Sequence, residues 1–159
     1  MKAISVLCCI GILILPASEA LAGESTEIVT LSPDSVVKPF KNRFSHGKLV
    51  PPNATWLVTA GQTGANVNGE IGESIEEQAD QAMQNLYNII REGGMDSEDV
   101  VKMTIYYLDP AYLPVIVAAR NRYFGENFRP ASTAVGVSAL ARPQMLVEVE
   151  AVAAKVFEH

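Results

Sequence analysis

The distribution of apolar and polar residues predicts a small set of alternating elements. Ile75, Ala79, Ala82, Met83, Leu86, Ile89 and Ile90 recur at helical spacing, the mark of an amphipathic helix of about five turns. Ser74-Ile75-Glu76-Glu77 in front of it is a capping box, and Gly93-Gly94 stops it. Residues 99–108 alternate Val101, Met103, Ile105 and Tyr107 against Lys102, Thr104 and Tyr106, as a half-buried strand does, and Asp109-Pro110 closes that strand. A second helix is expected from about Pro114, well placed as a first helical residue, to Phe124, with Gly125 as its stop. Arg120 and Arg122 are expected on its wet side.

Residues 129–157 read as two strands, 132–137 and 145–157, joined by a Pro-bearing connection. Alternation in the second leaves Glu148 and Glu150 on one face, only about 7 Å apart at roughly 3.3 Å rise per residue. Glu is depleted in strands, so the pair needs a reason. Either the face is solvated or forms an interface with basic partners, or one carboxylate lies in a pocket as general acid or base. Earlier in the chain, 27–31 is a short strand candidate, followed by a polar Pro-containing stretch. Residues 46–50 and 55–60 flank Pro51-Pro52-Asn53-Ala54 and read as a hairpin, with Trp56 packing on the sheet. The glycines of 61–72 match neither G-x-G-x-x-G nor a P-loop, and Asn68-Gly69 signals a tight turn instead.

The predicted order is strands, helix, strand, helix, two strands. That is an α+β fold in which two helices cover one face of a single mixed sheet. Both parities of the last strand are rich in apolar residues, Leu146, Val152 and Ala154 against Val147, Val149 and Ala151, more than two helices bury. The surplus argues for a subunit interface closed by cyclic symmetry.

Composition narrows the function classes. The 159 residues suit one domain, and residues 1–22 are not expected to belong to it. Lys2, the uncharged apolar run 3–15 and Ala20-Leu21-Ala22 have the form of a secretory signal peptide, cleaved after Ala22, which predicts a periplasmic or secreted domain of 23–159. The apolar run is shorter than the ~20 residues that cross a bilayer, so no membrane association is expected after processing. Cys8 and Cys9 both lie in the leader, leaving a domain without thiols or disulfides. The net charge of −6 and the lack of a basic stripe argue against a nucleic-acid partner. Neither His46 nor His159 has a neighbour at metal-ligand spacing, so no metal site is predicted.

Several segments taken together resemble one family. Thr59-Ala60-Gly61-Gln62, the helix with Glu77-Gln78 and Asn85-Leu86, Asp99-Val100-Val101-Lys102, Phe128-Arg129-Pro130-Ala131 and Val147-Glu148-Val149-Glu150-Ala151 are similar to the Rid family, also called YjgF, the reactive-intermediate deaminases. The similarity runs from about Pro39 onward. It implies a chorismate-mutase-like α+β subunit, assembled as a homotrimer with ligand sites in the clefts between subunits. It also implies cofactor-free hydrolysis of small reactive imines or enamines to 2-oxo acids and ammonia, although some members are described as ribonucleases or translation inhibitors.

Transferred by position, the resemblance makes Glu148 the water-activating carboxylate and places Gly61, Gln62, Ser132, Thr133, Val117 and Phe40 around the substrate. Three of these depart from the family pattern. Its carboxylate-binding arginine is Ser132 here, a cleft asparagine is Val117, and a tyrosine is Phe40. Arg129, three residues before Ser132, would point to the other face of an extended strand. Two readings follow: a Rid-like hydrolase of an imine, enamine or related C–N metabolite, or a non-catalytic extracytoplasmic trimer that binds a small metabolite or a protein in the same clefts.

Overall fold

The computed structural model describes residues 26–157, so the expected leader and His159 lie outside the described residues. The chain forms β1 (Val29–Leu31), β2 (Gly47–Leu49), β3 (Thr55–Val58), β4 (Gln62–Thr63), α1 (Ile75–Glu92), β5 (Val100–Tyr107), α2 (Leu113–Phe124), β6 (Ala131–Gly136) and β7 (Val147–Lys155). The main sheet has the order β3-β7-β5-β6, and β4 also pairs with β7. β7 is antiparallel to β3, β4 and β5, while β5 and β6 are parallel. A parallel pair needs a crossover connection, and α2 supplies it. This is the expected α+β fold with a mixed sheet and two helices.

Both helices cover one face. Met83, Leu86 and Ile90 of α1 and Ile116, Ala119 and Phe124 of α2 join Met103, Ile105, Val147, Val149, Ala151 and Ala153 in one core. Met83, Leu86, Ile90, Met103, Ile116, Val147 and Val149 are fully buried, each large apolar side chain contributing roughly 1.5–3 kcal/mol. The alternation read from the sequence therefore sorts the sheet: from Lys102 of β5 onward and along β7 to Ala153, odd positions face the helices and even positions face away, while a register shift turns Val100 into the core. The ends of α1 are as predicted. Ser74 Oγ accepts the Glu77 N–H while the Glu77 carboxylate accepts the Ser74 N–H. Gly94 at φ 71° supplies the left-handed turn beyond the helix.

Three expectations are corrected. Residues 46–50 and 55–60 do not form a hairpin, because β2 pairs with β1 in a separate two-stranded sheet whereas β3 pairs with β7. β3 goes to β7 instead, where Leu57 packs against the core that a hairpin with β2 would leave uncovered. Trp56 does lie in a strand, but on the face away from the helices, and it remains 54% exposed. Arg120 is not on the wet side of α2: it is 3% exposed, one helical turn from both Ile116 and Phe124 on the buried stripe. Arg122 behaves as expected, reaching across the surface to Asp80 of α1 with Nη2 2.6 Å from Oδ1.

Candidate functional site

The predicted site residues fall into two groups on opposite faces of the sheet. The first lies on the open face, where Glu148 of β7 pairs with Tyr106 of β5 on one side and with Thr63 of β4 on the other. Between the two stretches that pair with β7, residues 58–62 contain one more residue than the opposing 149–152, a bulge that carries Gly61. The bulge brings the chain so close that a Cβ on Gly61 would stand 1.9 Å from Glu148 Oε1. Thr59 fixes its upstream end, its N–H donating to the Ala151 carbonyl at 3.0 Å while its hydroxyl accepts the Ala151 N–H at 2.9 Å. Gln62 folds back on the bulge, its Nε2 donating to the carbonyls of Ala60 and Gly61, both at 3.3 Å.

The two carboxylates are differently engaged. Tyr106 donates its hydroxyl to Glu150 Oε1 at 3.1 Å, and that bond raises the Tyr106 pKa above its ordinary value, with burial and the charges of Glu150 and Glu148 adding to it. No described residue donates a hydrogen bond to the Glu148 carboxylate, so its acceptor positions remain available. The partner of the pair is thus a phenol rather than a basic side chain. Thr133 of β6 is also on this face, its hydroxyl accepting from Lys102 Nζ.

The second group lies on the helix side, along the outer edge of β6. Phe40, Val117 and Ser132 line one pocket of about 210 Å³ with six residues absent from the predicted site, the apolar Phe44, Ile105, Leu113 and Ala134 and the cationic Arg43 and Arg120. Phe40 sits on a 3-10 turn, Phe40–Asn42, whose Lys41 and Asn42 take φ of 49° and 52°. The Lys41 and Arg43 cations lie 5.5 and 5.9 Å from its ring centroid. Arg129 takes no part in this pocket. Its Nη1 donates to the carbonyls of Glu126 and Phe128 at 2.6 and 2.9 Å, and it lines a different cleft beside Lys48. Arg120 could have been placed from the sequence by its register with Ile116 and Phe124. Arg43, in an irregular segment, gives no such signal.

Strand alternation accounts for the division. Ser132 and Thr133 are neighbours in β6, so one faces the helices and the other faces away. Within one protomer the Glu148 group and the Ser132 pocket therefore do not meet.

The Endoribonuclease L-PSP family model matches residues 38–155. A RutC family protein of Pyrococcus abyssi is 37% identical over 59% of this chain and 69% of its own. The 2-iminobutanoate/2-iminopropanoate deaminase of Salmonella typhimurium is 25% identical over 82% of this chain and 98% of its own. Among solved structures, the Rid family protein YyfB from Yersinia pestis, of unknown function, superposes with a TM-score of 0.71 at 30% identity, covering 80% of this chain and 98% of that one. The match spans β2 to β7, including both groups of candidate site residues. The chain belongs to the Endoribonuclease L-PSP family, the Rid or YjgF proteins.

Proposed function

We propose that this protein hydrolyses a small reactive imine, or the enamine that tautomerises to it, to a carbonyl compound and ammonia, with Glu148 as the base that activates water. The observation that carries the reading is the Glu148 carboxylate, held half-buried against the Gly61 bulge with its acceptors unclaimed. A water bonded to it gives up a proton to the carboxylate as its oxygen attacks the protonated C=N carbon, forming a carbinolamine. The proton then passes from Glu148 to the nitrogen, the C–N bond breaks and ammonia leaves, and the hydroxyl gives its proton back to Glu148 as the C=O forms; that proton, equal to the one the imine took up, returns to solvent. The balance is imine plus water to carbonyl plus ammonia, without a cofactor or a change in oxidation state.

The reading includes assembly. Phe40, Val117 and Ser132 open on one side of the sheet and Glu148, Gly61 and Gln62 on the other, so a second copy must bring its pocket to the first copy's carboxylate. A homotrimer with sites between subunits satisfies this requirement. Trp56, Val58 and Val135, 54%, 72% and 38% exposed, give the open face the apolar surface such packing needs. Residues 1–22 would direct the protein out of the cytoplasm and be removed.

Ammonia release from imines generated in situ by an amino acid oxidase tests the reading. The wild-type protein should accelerate it and Glu148→Gln should not. If the wild type leaves the spontaneous rate unchanged while Ser132→Arg gains activity, the scaffold serves another ligand and the hydrolase reading is lost.

A further inference from the structure

A second cleft, of about 470 Å³, lies between the β1–β2 ribbon and the body of the fold, and it shares no residue with the Ser132 pocket. Thr30 of β1 and Lys48 of β2 line it from the ribbon, and Val100 of β5 and residues 124–130, which connect α2 to β6, line it from the body. The body side has an apolar base. Val100, Phe124, Phe128 and Pro130 are all buried, and the two rings stack with centroids 4.7 Å apart.

Two cations line this cleft without a carboxylate to neutralise them. The ion pairs of the described residues are Lys38–Asp34, Arg91–Asp96, Arg122–Asp80 and Lys155–Asp99, and neither Lys48 nor Arg129 is among them. Burial lowers the Lys48 pKa, and no acidic neighbour raises it again. The Arg129 charge acts as far as Arg120, whose pKa is lowered to about 10 by burial and then by Arg129 and Arg43. Cations withdrawn from water are ordinarily paired, since the lost hydration must be replaced. Glu98 and Glu126 also border the cleft, but both are exposed and neither carboxylate reaches a cation.

The donors that remain are single points rather than a fork. Lys48 Nζ donates to the Thr30 hydroxyl at 2.7 Å, which leaves two of its three N–H groups. Arg129 Nη1 donates to the Glu126 and Phe128 carbonyls at 2.6 and 2.9 Å, and its Nε is buried without a partner, so only Nη2 is left to a ligand. Both edges of the guanidinium on which a planar carboxylate could sit bidentately are thereby closed. A tetrahedral oxyanion needs no such edge, because its oxygens accept separate donors from different directions.

We infer that this cleft is an anion site in which Lys48 and Arg129 bind the phosphoryl group of a small phosphate monoester, with its organic part against the apolar base. A phosphate monoester carries close to two negative charges at neutral pH, one for each cation. At about 30 Å³ per water molecule the cleft has the volume of roughly 15 waters, room for a phosphoryl group and one ring. The site does not depend on the hydrolase reading. Thr30, which holds the Lys48 ammonium, precedes the residues 38–155 matched by the family model, so the site belongs to this chain rather than to the shared fold.

Calorimetric titration with phenyl phosphate, phenyl sulfate and benzoate tests this, using the wild type, Lys48→Met, Lys48→Glu, Arg129→Gln and Ser132→Asp. Phenyl sulfate keeps the shape of phenyl phosphate with one charge fewer, and benzoate is planar. Phenyl phosphate should bind, and the other two should bind about tenfold or more weakly. Lys48→Met and Arg129→Gln should each weaken phenyl phosphate about tenfold or more, the loss of one charge-assisted hydrogen bond. Lys48→Glu sets a carboxylate in the cleft and should abolish binding. With Lys48→Met it decides the matter if Arg129→Gln does not fold. Ser132→Asp alters only the other pocket and should leave the affinity for phenyl phosphate unchanged. Absence of phenyl phosphate binding at millimolar concentration, equal binding of the sulfate or of benzoate, or binding that survives Lys48→Met and Lys48→Glu but is lost in Ser132→Asp overturns the inference.

Discussion

Gly61 and Glu148 are in such close register that no side chain fits between them: a Cβ on Gly61 would lie 1.9 Å from Oε1, 2.8 Å from Cδ and 3.0 Å from Cγ of Glu148. The bulge thus acts as a wall that sets where the carboxylate stands. Every obstructing atom belongs to one flexible side chain. Gly61→Ala should therefore move the carboxylate and leave the fold intact, with kcat falling about a hundredfold, as expected for a reacting group misplaced by about 1 Å. Stability should change by about 1 kcal/mol or less, a shift that thermal unfolding resolves from the loss in kcat. A Gly61→Ala protein with undiminished turnover would show that the wall has no part in the chemistry.

Gly64 provides the contrast three residues later. A Cβ there would meet Gln78 Cα and Cβ, both at 2.6 Å, and the first of these is the backbone of α1. Gln78 cannot withdraw. It is 1% exposed, its Nε2 donates to the carbonyls of Gly72 and Gln144 at 2.8 Å, and its Oε1 accepts the Leu146 N–H at 2.8 Å. Gly64→Ala should push β4 away from α1 and cost about 1–3 kcal/mol, the range of overpacked cores. Denaturant unfolding should therefore rank Gly64→Ala well below Gly61→Ala in stability, the reverse of their order in catalytic damage.

The two glycines also mark how far the sequence was legible. The helices, β5 and β7 could be read because each carries a sustained period and chemically explicit ends, such as the Ser74 capping box and Gly125 at φ 85°. The apparent hairpin of residues 46–60 failed because local pattern shows that two segments are strands without showing which partner each takes. β3 finds β7, almost a hundred residues away, through the register Thr55 with Lys155. Glu148 was legible as an anomaly, one of two acids in a largely apolar strand. Arg120 was not, since an arginine on a helix ordinarily signals solvent, and only its phase relative to Ile116 and Phe124 betrays its burial. That Ser132 and Glu148 lie on opposite faces follows from period-two alternation once β5 is known to separate β6 from β7, which no local pattern reveals.

Two phenols make stability sensitive to alkaline pH. The Tyr106 pKa is raised above 10.0 chiefly by its bond to Glu150, and that of Tyr123 chiefly by burial, then by its 3.1 Å bond to Asp80. Below 10.0 both phenols hold their protons whether the chain is folded or unfolded, so their contribution is fully present. Above it the unfolded chain loses protons first, and the contribution declines until the folded phenols ionise in turn. Chemical denaturation at successive pH values across 10.0 should show this loss, and Tyr106→Phe combined with Tyr123→Phe should flatten it. An equally steep decline in the double variant would assign the alkaline limb to other groups.

Trp56 reports on assembly because it is the only tryptophan in the chain and stands on the open face. In the protomer it is 54% exposed, beside Val58 at 72%, and a half-solvated indole emits toward the red. If copies pack on this face, the indole leaves water, emission moves to the blue, and dilution reverses the shift as the assembly dissociates. Val58→Asp should prevent the association, since a carboxylate buried without a partner in an apolar interface costs several kcal/mol, on the order of the desolvation penalty of an ion. The variant should sediment as a monomer with red-shifted emission at every concentration. It should also lose ammonia release while retaining Glu148 if, as the proposed assembly requires, the pocket that completes the site comes from another copy. A wild type that sediments as a monomer at working concentration and still hydrolyses imines would place both halves of the site within reach of one protomer, and the opposite-face geometry of Ser132 and Glu148 would then require the sheet edge to rearrange.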